Sequence, residues 1–232
     1  MIPVLIVPVL IPDRVGDMLA SIDVPVGLRL IVDNGAGVDP RGAHVVHLPG
    51  NIGVGAAWNL GIKATIRAPW WAIVNDDVVF APGDLSQLAE AMADPAPRIV
   101  TLDGFAAFGL NAAALERVGW FDENFHPAYC EDADYEHRCH LARVPIMSIP
   151  AGLHHDRSST IRHPHYAAEN ARTYPANYAY YERKWGGALR GGERFTTPFD
   201  AGGSVADWTL HVGRIKDLAW ETTMLEPWGE TR

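Results

Sequence analysis

Short apolar runs recur along the first hundred residues, at 4–10, 28–32, 44–48, 71–74 and 98–102, each bounded by Gly, Pro, Asn or Asp. Runs of this length read as buried β-strands. In the gaps the apolar residues take helical spacing: Val15, Met18, Leu19 and Ile22 in the first, Ala57, Leu60 and Ala64 in the second, Leu85, Leu88 and Met92 in the third. Strands alternating with helices predict an α/β fold, a doubly wound, mostly parallel and Rossmann-like sheet covered on both faces. With 232 residues and 48% hydrophobic content the chain can bury such a core, and it lies near the upper range for one domain.

In an open sheet of this kind ligands collect at the carboxyl ends of the strands. The run ending at Val74 is followed by Asn75-Asp76-Asp77-Val78, so two adjacent carboxylates surface at that rim. The second strand ends in Asp33-Asn34-Gly35-Ala36-Gly37, a polar turn at the same rim. Mg²⁺ and Mn²⁺ take oxygen ligands, usually shared with substrate phosphates, which makes a nucleotide-bound metal the first hypothesis for Asp76 and Asp77. A simple turn is the competing reading, since Asn and Asp also favour turns and caps.

Bulk charge narrows the partners. A net charge of −9 argues against a broad grip on nucleic acid or an anionic membrane, which needs concentrated Lys and Arg, so a phosphate-bearing ligand must be held locally. Two cysteines, Cys130 and Cys139, are too few for a disulfide scaffold, and Cys139 reads as a helix residue facing the core. A reduced, cytoplasmic setting fits best. The N-terminal apolar run is interrupted by Pro3, Pro8 and Pro12 and lacks a preceding basic region, so it reads as a first strand rather than a signal peptide, and no stretch has the length of a transmembrane helix.

After residue 102 the rhythm changes. A short helix is expected over 111–118, another from Glu131 and Asp132 with Asp134 and Arg138 paired at i, i+4, a strand over 144–149, and an aromatic-rich helix over 166–185. From residue 186 onward Gly, Pro, Thr and charge dominate. The expected organisation is a catalytic domain over 1–186, with a nucleotide-binding half at 1–102 and an acceptor-binding half at 103–186, then a helical or irregular extension at 187–232.

Three further groups could carry chemistry. Asn51-Ile52-Gly53-Val54-Gly55 opens a helix after a strand, where backbone N–H groups favour an anion, although a tight strand-to-helix turn explains the glycines as well. Lys63 and Arg67, further along, could reach a phosphate or simply be solvated. Glu131 and Asp132, with Asp134 close behind, raise one another's pKa while a helix N-terminus lowers it; one of them could act as general base, the alternative being a capping Asp132 beside a solvated Glu131. His154 and His155 offer a metal ligand or merely polar surface. Ser158, Ser159 and Thr160 lack a nucleophile context and are assigned no catalysis.

Taken in order, the motifs are Val32-Asp33-Asn34-Gly35, Asn51-Ile52-Gly53-Val54-Gly55-Ala56-Ala57-Trp58-Asn59-Leu60-Gly61, Asn75-Asp76-Asp77-Val78, Gly119-Trp120-Phe121-Asp122-Glu123, Tyr129-Cys130-Glu131-Asp132-Ala133-Asp134 and His154-His155 after Pro150. This series resembles family 2 glycosyltransferases of the A fold, from residue 2 to about 186. Its end, Asn177-Tyr178-Ala179-Tyr180-Tyr181-Glu182-Arg183-Lys184-Trp185-Gly186, is similar to the closing segment of rhamnosyl- and galactofuranosyl-type members.

The resemblance implies an inverting, metal-dependent transfer of a sugar from a UDP- or dTDP-sugar to a hydroxyl of a glycan, lipid-linked or protein acceptor. Carried over by position, Pro8 and Asp33 would line the base pocket and Asn59 would lie near the donor. Asp77 would be the main Mn²⁺ or Mg²⁺ ligand with Asp76 at the ribose or metal, and His154 or His155 would complete the metal site. Asp132 would be the base and Glu131 an acceptor-orienting partner. The metal motif departs from the family pattern in having Val78 where an acidic residue is common. The rival readings are a sugar nucleotidyltransferase, against which the first loop, Ile11-Pro12-Asp13-Arg14-Val15-Gly16, is poor in Gly and Lys, and a catalytically inactive sugar-nucleotide-binding protein of the same fold.

Overall fold

A computed structural model describes residues 1–39, 42–156 and 163–202. In chain order the elements are β1 (Ile2–Val9), α1 (Val15–Ala20), β2 (Val26–Asp33), β3 (His44–His47), α2 (Val54–Ala64), β4 (Trp70–Val74), β5 (Val78–Val79), α3 (Asp84–Ala91), β6 (Ile99–Thr101), β7 (Ala107–Asn111), α4 (Ala112–Val118), α5 (Glu131–Ala142), β8 (Ile146–Ser148), β9 (His154–His155) and α6 (Pro164–Trp185). Among the described residues the main sheet has seven strands in the order β3-β2-β1-β4-β7-β6-β8. β1, β2, β3 and β4 run parallel to one another, as does β8 to β6, whereas β7 is antiparallel to both β4 and β6. The mostly parallel, doubly wound sheet expected from the sequence is present, with the inserted antiparallel β7 as its unanticipated member.

Strand alternation builds the two sides of the core. Leu5, Val7 and Val9 of β1 face one layer with Met18 of α1 and Leu85 and Leu88 of α3. Val4 and Ile6 face the other, with Trp58 and Ile62 of α2, Leu115 of α4, and Tyr135 and Cys139 of α5. Gly61 lets α2 lie close on β1: a Cβ there would stand 2.5 Å from Ile6 Cγ2. Aromatic rings finish this second layer, with Phe121 stacked on Tyr135 at 4.0 Å and edge-on to Trp58 at 4.8 Å.

A third, smaller core joins α5 to α6 through Phe125, Cys130, Ala133, Tyr181 and Trp185. Charges are buried at its margin. Lys184 Nζ lies 2.7 Å from Asp122 and 2.6 Å from Asp134, while Arg138 Nε pairs with Asp134 at 2.9 Å and Trp185 Nε1 donates to it at 2.8 Å. The i, i+4 pairing read from the sequence is therefore part of a network that fastens α6 along α5. Both cysteines are free and buried. No helix among the described residues is long and apolar enough to cross a membrane.

Candidate active site

Because β1, β2 and β4 run in the same direction, their carboxyl ends share one edge. A cleft of about 440 Å³ opens there, lined by Pro8 and Leu10 after β1, Asn34 after β2, and Asn75, Asp76 and Asp77 after β4. The opposite wall comes from Pro127, Ala128, Tyr129, Glu131 and Asp132 at the start of α5, and Tyr166, Glu169 and Asn170 of α6 close a third side. The volume lies within the range of ordinary small-ligand sites.

Asp77 and His155 meet in this cleft because β5 and β9 form a small antiparallel pair outside the main sheet, with Val78 opposite His155. Asp156 N–H donates to Asp77 O at 3.2 Å and locks the pairing. His155 Nε2 then stands 3.4 Å from Asp77 Oδ1, and its Nδ1 lies 2.7 Å from Asp103 Oδ2. The bond to Asp77, opposed by desolvation and reinforced by Asp103, raises the imidazole above its ordinary pKa. A carboxylate oxygen beside an imidazole nitrogen is a donor set that accepts Mn²⁺ or Mg²⁺. Among the described residues no three His, Cys, Asp or Glu side chains form a ready metal cage, so an ion held here would take its other ligands from substrate oxygens and water. Asp76, beside it, accepts from Ile11 N–H at 3.4 Å; burial first and the Asp77 charge second push its carboxyl up to about 7.

The acidic pair opening α5 is set by strained backbone. Tyr129 and Cys130 adopt φ of 78° and 75°, a left-handed conformation that costs a non-glycine residue about 1–3 kcal/mol and persists only where surroundings enforce it. Here Asn177 of α6 donates to the carbonyls of Ala128 and Tyr129 at 2.8 and 3.2 Å, and Pro127 O accepts from Val54 N–H at 2.8 Å. The helix consequently starts at the cleft with Glu131 buried, 6% exposed, and one of its carboxylate oxygens without a partner. Burial, then the neighbouring Asp132 charge, push Glu131 up to about 8. Asp132 is half-buried on the same wall, and the N-cap is Cys130 with no side-chain cap. The capping alternative for Asp132, with Glu131 solvated, does not describe this helix start.

Several expected site residues fall elsewhere. Asn59, expected near the donor, is fully buried, and its amide is committed to Phe121 N–H and O and to Glu123, so it pins the 119–123 turn rather than facing the cleft. Lys63 does not reach the cleft: at about 1.5 Å rise per residue it lies about 15 Å along α2 from Gly53, where its ammonium sits 3.5 Å from Glu123 and over the Trp120 ring. Arg67 is exposed beyond the end of α2.

Asp33 stands behind the cleft wall. It accepts from the amides of Ala36, Gly37 and Val38 and from His47, which hold its carboxyl below the ordinary value against burial; its neighbour Asn34 is the one that lines the cleft. His154 is exposed and absent from the cleft lining, and with His155 it borders a smaller recess. The first N–H of α2 is taken by Pro127, which removes it from any anion, and Gly53 is required at φ 89° with no room for a Cβ, which would stand 3.0 Å from His126 Cδ2 and 3.1 Å from Pro127 O. Of the rings near this wall, Tyr129 lines the cleft, whereas Trp120, Phe125 and His126 do not. Ser158, Ser159 and Thr160 lie outside the described residues.

The cleft also holds residues that no sequence motif flagged. Asp103 lies in the turn that follows β6, and Tyr166, Glu169 and Asn170 fall at i, i+3 and i+4 on one face of α6, a spacing that could have singled them out. With them the lining carries six carboxylates, Asp76, Asp77, Asp103, Glu131, Asp132 and Glu169, and among the described residues no Lys or Arg.

An open α/β sheet with an acidic, strand-end cleft of this form is the glycosyltransferase A fold. Glucosyl-3-phosphoglycerate synthase from Mycobacterium tuberculosis, solved with Mn²⁺, UDP and phosphoglyceric acid, superposes with a TM-score of 0.53 at 13% identity over 76% of this chain and 78% of that one. TarS 1-349 from S. aureus, solved with UDP-GlcNAc, gives 0.50 at 15% identity over 64% and 56%. Identities this low speak for the fold alone. In sequence, a galactofuranosyl glycosyltransferase from Leishmania donovani is 28% identical over 46% of this chain and 41% of its own length, so the chain spans less than half of that relative. The family model for Glycosyl transferase family 2 matches residues 27–143, half of the chain, and the chain belongs to that family.

Proposed function

We propose that this protein transfers a sugar from a nucleoside-diphosphate sugar to an acceptor hydroxyl with inversion, using a divalent cation. The observation that carries the reading is the acidity of the cleft: six carboxyl groups, of which Glu131 and in part Asp76 stay protonated at neutral pH, with no Lys or Arg among the described lining residues. A sugar diphosphate enters such a field only with its charge neutralised, and Asp77 with His155 would hold the neutralising ion. When bound, Mn²⁺ or Mg²⁺ would offset the negative charge that builds on the diphosphate as the glycosidic bond breaks.

Pro8, Leu10, Asn34 and Asn51 form the apolar and amide-bearing end of the cleft suited to a nucleoside. UDP is favoured, with dTDP next, because both solved relatives carry uridine nucleotides. Across the cleft, Asp132 would take the proton of the acceptor hydroxyl while that oxygen attacks the anomeric carbon from the face opposite the diphosphate, which departs with the bonding electron pair. Glu131, protonated at neutral pH, is suited to donate a hydrogen bond that orients the acceptor, which leaves the proton transfer to Asp132. The acceptor would be a glycan, lipid-linked or protein hydroxyl, approached past Tyr129 and α6.

Thermal shifts with UDP or dTDP, with and without Mn²⁺, test the first half: the wild type should be stabilised more by nucleotide plus Mn²⁺ than by either alone, and Asp77→Ala should lose that increment. An unchanged increment in Asp77→Ala would remove Asp77 from the cation. For the second half, Asp132→Asn should keep the nucleotide shift while transfer falls at least about 100-fold; retained transfer would remove it as the base.

A further inference from the structure

The reaction as proposed gives Asp103 no part beyond its charge, yet backbone hydrogen bonds hold the turn that carries it. It lies in the turn after β6, where Leu102 N–H donates to Ala107 O at 2.9 Å and Ala106 N–H donates to Asp103 O at 3.1 Å, so the tight turn into β7 is bonded from both sides. Its carboxylate meets His155 Nδ1 at 2.7 Å, and His155 is itself held by the β5–β9 pairing. The other ring nitrogen, Nε2, is directed to Asp77 at the longer distance of 3.4 Å.

A neutral imidazole has one N–H and one lone pair, and whichever nitrogen has the better acceptor keeps the proton. At 2.7 Å against 3.4 Å, Asp103 is that acceptor. We infer that Asp103 is a positioning residue that holds the proton of His155 on Nδ1, so that the Nε2 lone pair is presented beside Asp77 to a divalent cation. The inference rests on the reading of Asp77 and His155 as cation ligands and adds to it a partner that fixes ring orientation and ligand basicity. Loss of such partners typically weakens metal binding about 10- to 100-fold.

Two measurements on the whole protein test it. Mn²⁺ affinity, read from the electron paramagnetic resonance of the free ion, is compared for the wild type, Asp103→Asn, Asp103→Glu and His155→Gln. The amide introduced by Asp103→Asn matches the carboxylate in shape but can turn its N–H toward Nδ1, so this variant should bind Mn²⁺ about 10- to 100-fold more weakly. Asp103→Glu, which restores a carboxylate, should recover most of the affinity, a rescue that a merely structural role would not give. Metal-free ¹⁵N-histidine NMR, at a pH alkaline enough to keep imidazole neutral and with His155 identified by its loss in His155→Gln, should find the wild-type proton on Nδ1 and move it to Nε2 in Asp103→Asn.

A wild-type proton on Nε2, or Asp103→Asn binding Mn²⁺ as the wild type does, overturns the assignment. Should Asp103→Asn fail to fold, the wild-type tautomer decides alone. Equal Mn²⁺ affinity in His155→Gln and wild type would instead defeat the ligand reading of the site, while the tautomer measurement, which needs no metal, still judges the Asp103 contact.

Discussion

Glu131 is a carboxyl group whose surroundings oppose its charge: burial first, then the Asp132 carboxylate, raise it from 4.5 to about 8. Between those values the unfolded chain has released its proton and the folded chain has kept it, so the folded state binds more protons and stability falls as pH rises through the window, levelling off above about 8. Glu131→Gln, neutral at every pH, removes that slope. Urea unfolding from pH 5 to 8 should show the variant declining less steeply than the wild type, the slope left being that of Asp76, and more stable at pH 8 by on the order of 1–3 kcal/mol; parallel curves would mean that Glu131 ionises normally. The sequence presents this pair plainly at 131 and 132, with the neighbouring charge and the helix start pulling the pKa in opposite directions, and burial, which it does not show, is the larger cause. Burial prevails through the left-handed turn at Tyr129 and Cys130 and through Asn177 far along the chain, neither of which has a local signature. The choice between His154 and His155 was hidden for a similar reason: both residues suit a metal, and only the register of β9 on β5 turns His155 to Asp77.

At the scale of elements, α6 fastens the wall of the cleft that carries Glu131 and Asp132. Lys184 supplies the cation between Asp122 and Asp134, and although burial alone would raise the Asp122 carboxyl, the Lys184 ammonium and its hydrogen bond bring it down to about 2. A depressed carboxylate contributes stability that is present above its ordinary value of 3.8 and lost as pH falls toward 2. Lys184→Met should therefore destabilise the protein by about 3–5 kcal/mol at neutral pH, the usual cost of leaving one half of a buried pair. Below about pH 4 the gap should narrow, because protonated Asp122 no longer needs the ammonium. Denaturation at pH 7 and pH 3 measures both, and a gap that widens in acid would contradict this account. Repeating apolar runs made most of the strands legible, and helical spacing located α1, α2, α3 and α5. β7 was missed since Ala107-Phe108-Gly109-Leu110-Asn111 is short, buried and centred on a glycine, next to Met92, that would ordinarily argue against a strand. β5 and β9, two residues each, carry no period at all; they exist because the loops holding Asp77 and His155 meet in space.

At the scale of the whole molecule the decisive property is the sign of the field. The chain carries a net −9, and the cleft, of whose six carboxyl groups only Glu131 and in part Asp76 stay protonated at neutral pH, repeats that sign at the place proposed for an anionic ligand. Proteins that hold phosphates with Lys and Arg lose affinity as salt rises, because the attraction is screened. Here the unassisted interaction is repulsive, and screening should act the other way. With EDTA present, UDP binding should tighten severalfold as NaCl is raised from about 20 to about 200 mM, over which the Debye length shortens from about 20 Å to under 10 Å. With Mn²⁺ present the slope should reverse, since the attraction between the acidic cleft and the cation is itself weakened by salt. Isothermal titration of UDP in the two series measures both slopes. Weakening by salt in EDTA would reveal basic groups facing the nucleotide and would remove the electrostatic ground on which cation dependence is proposed, whereas opposite slopes would tie nucleotide binding to an ion held against Asp77 and His155.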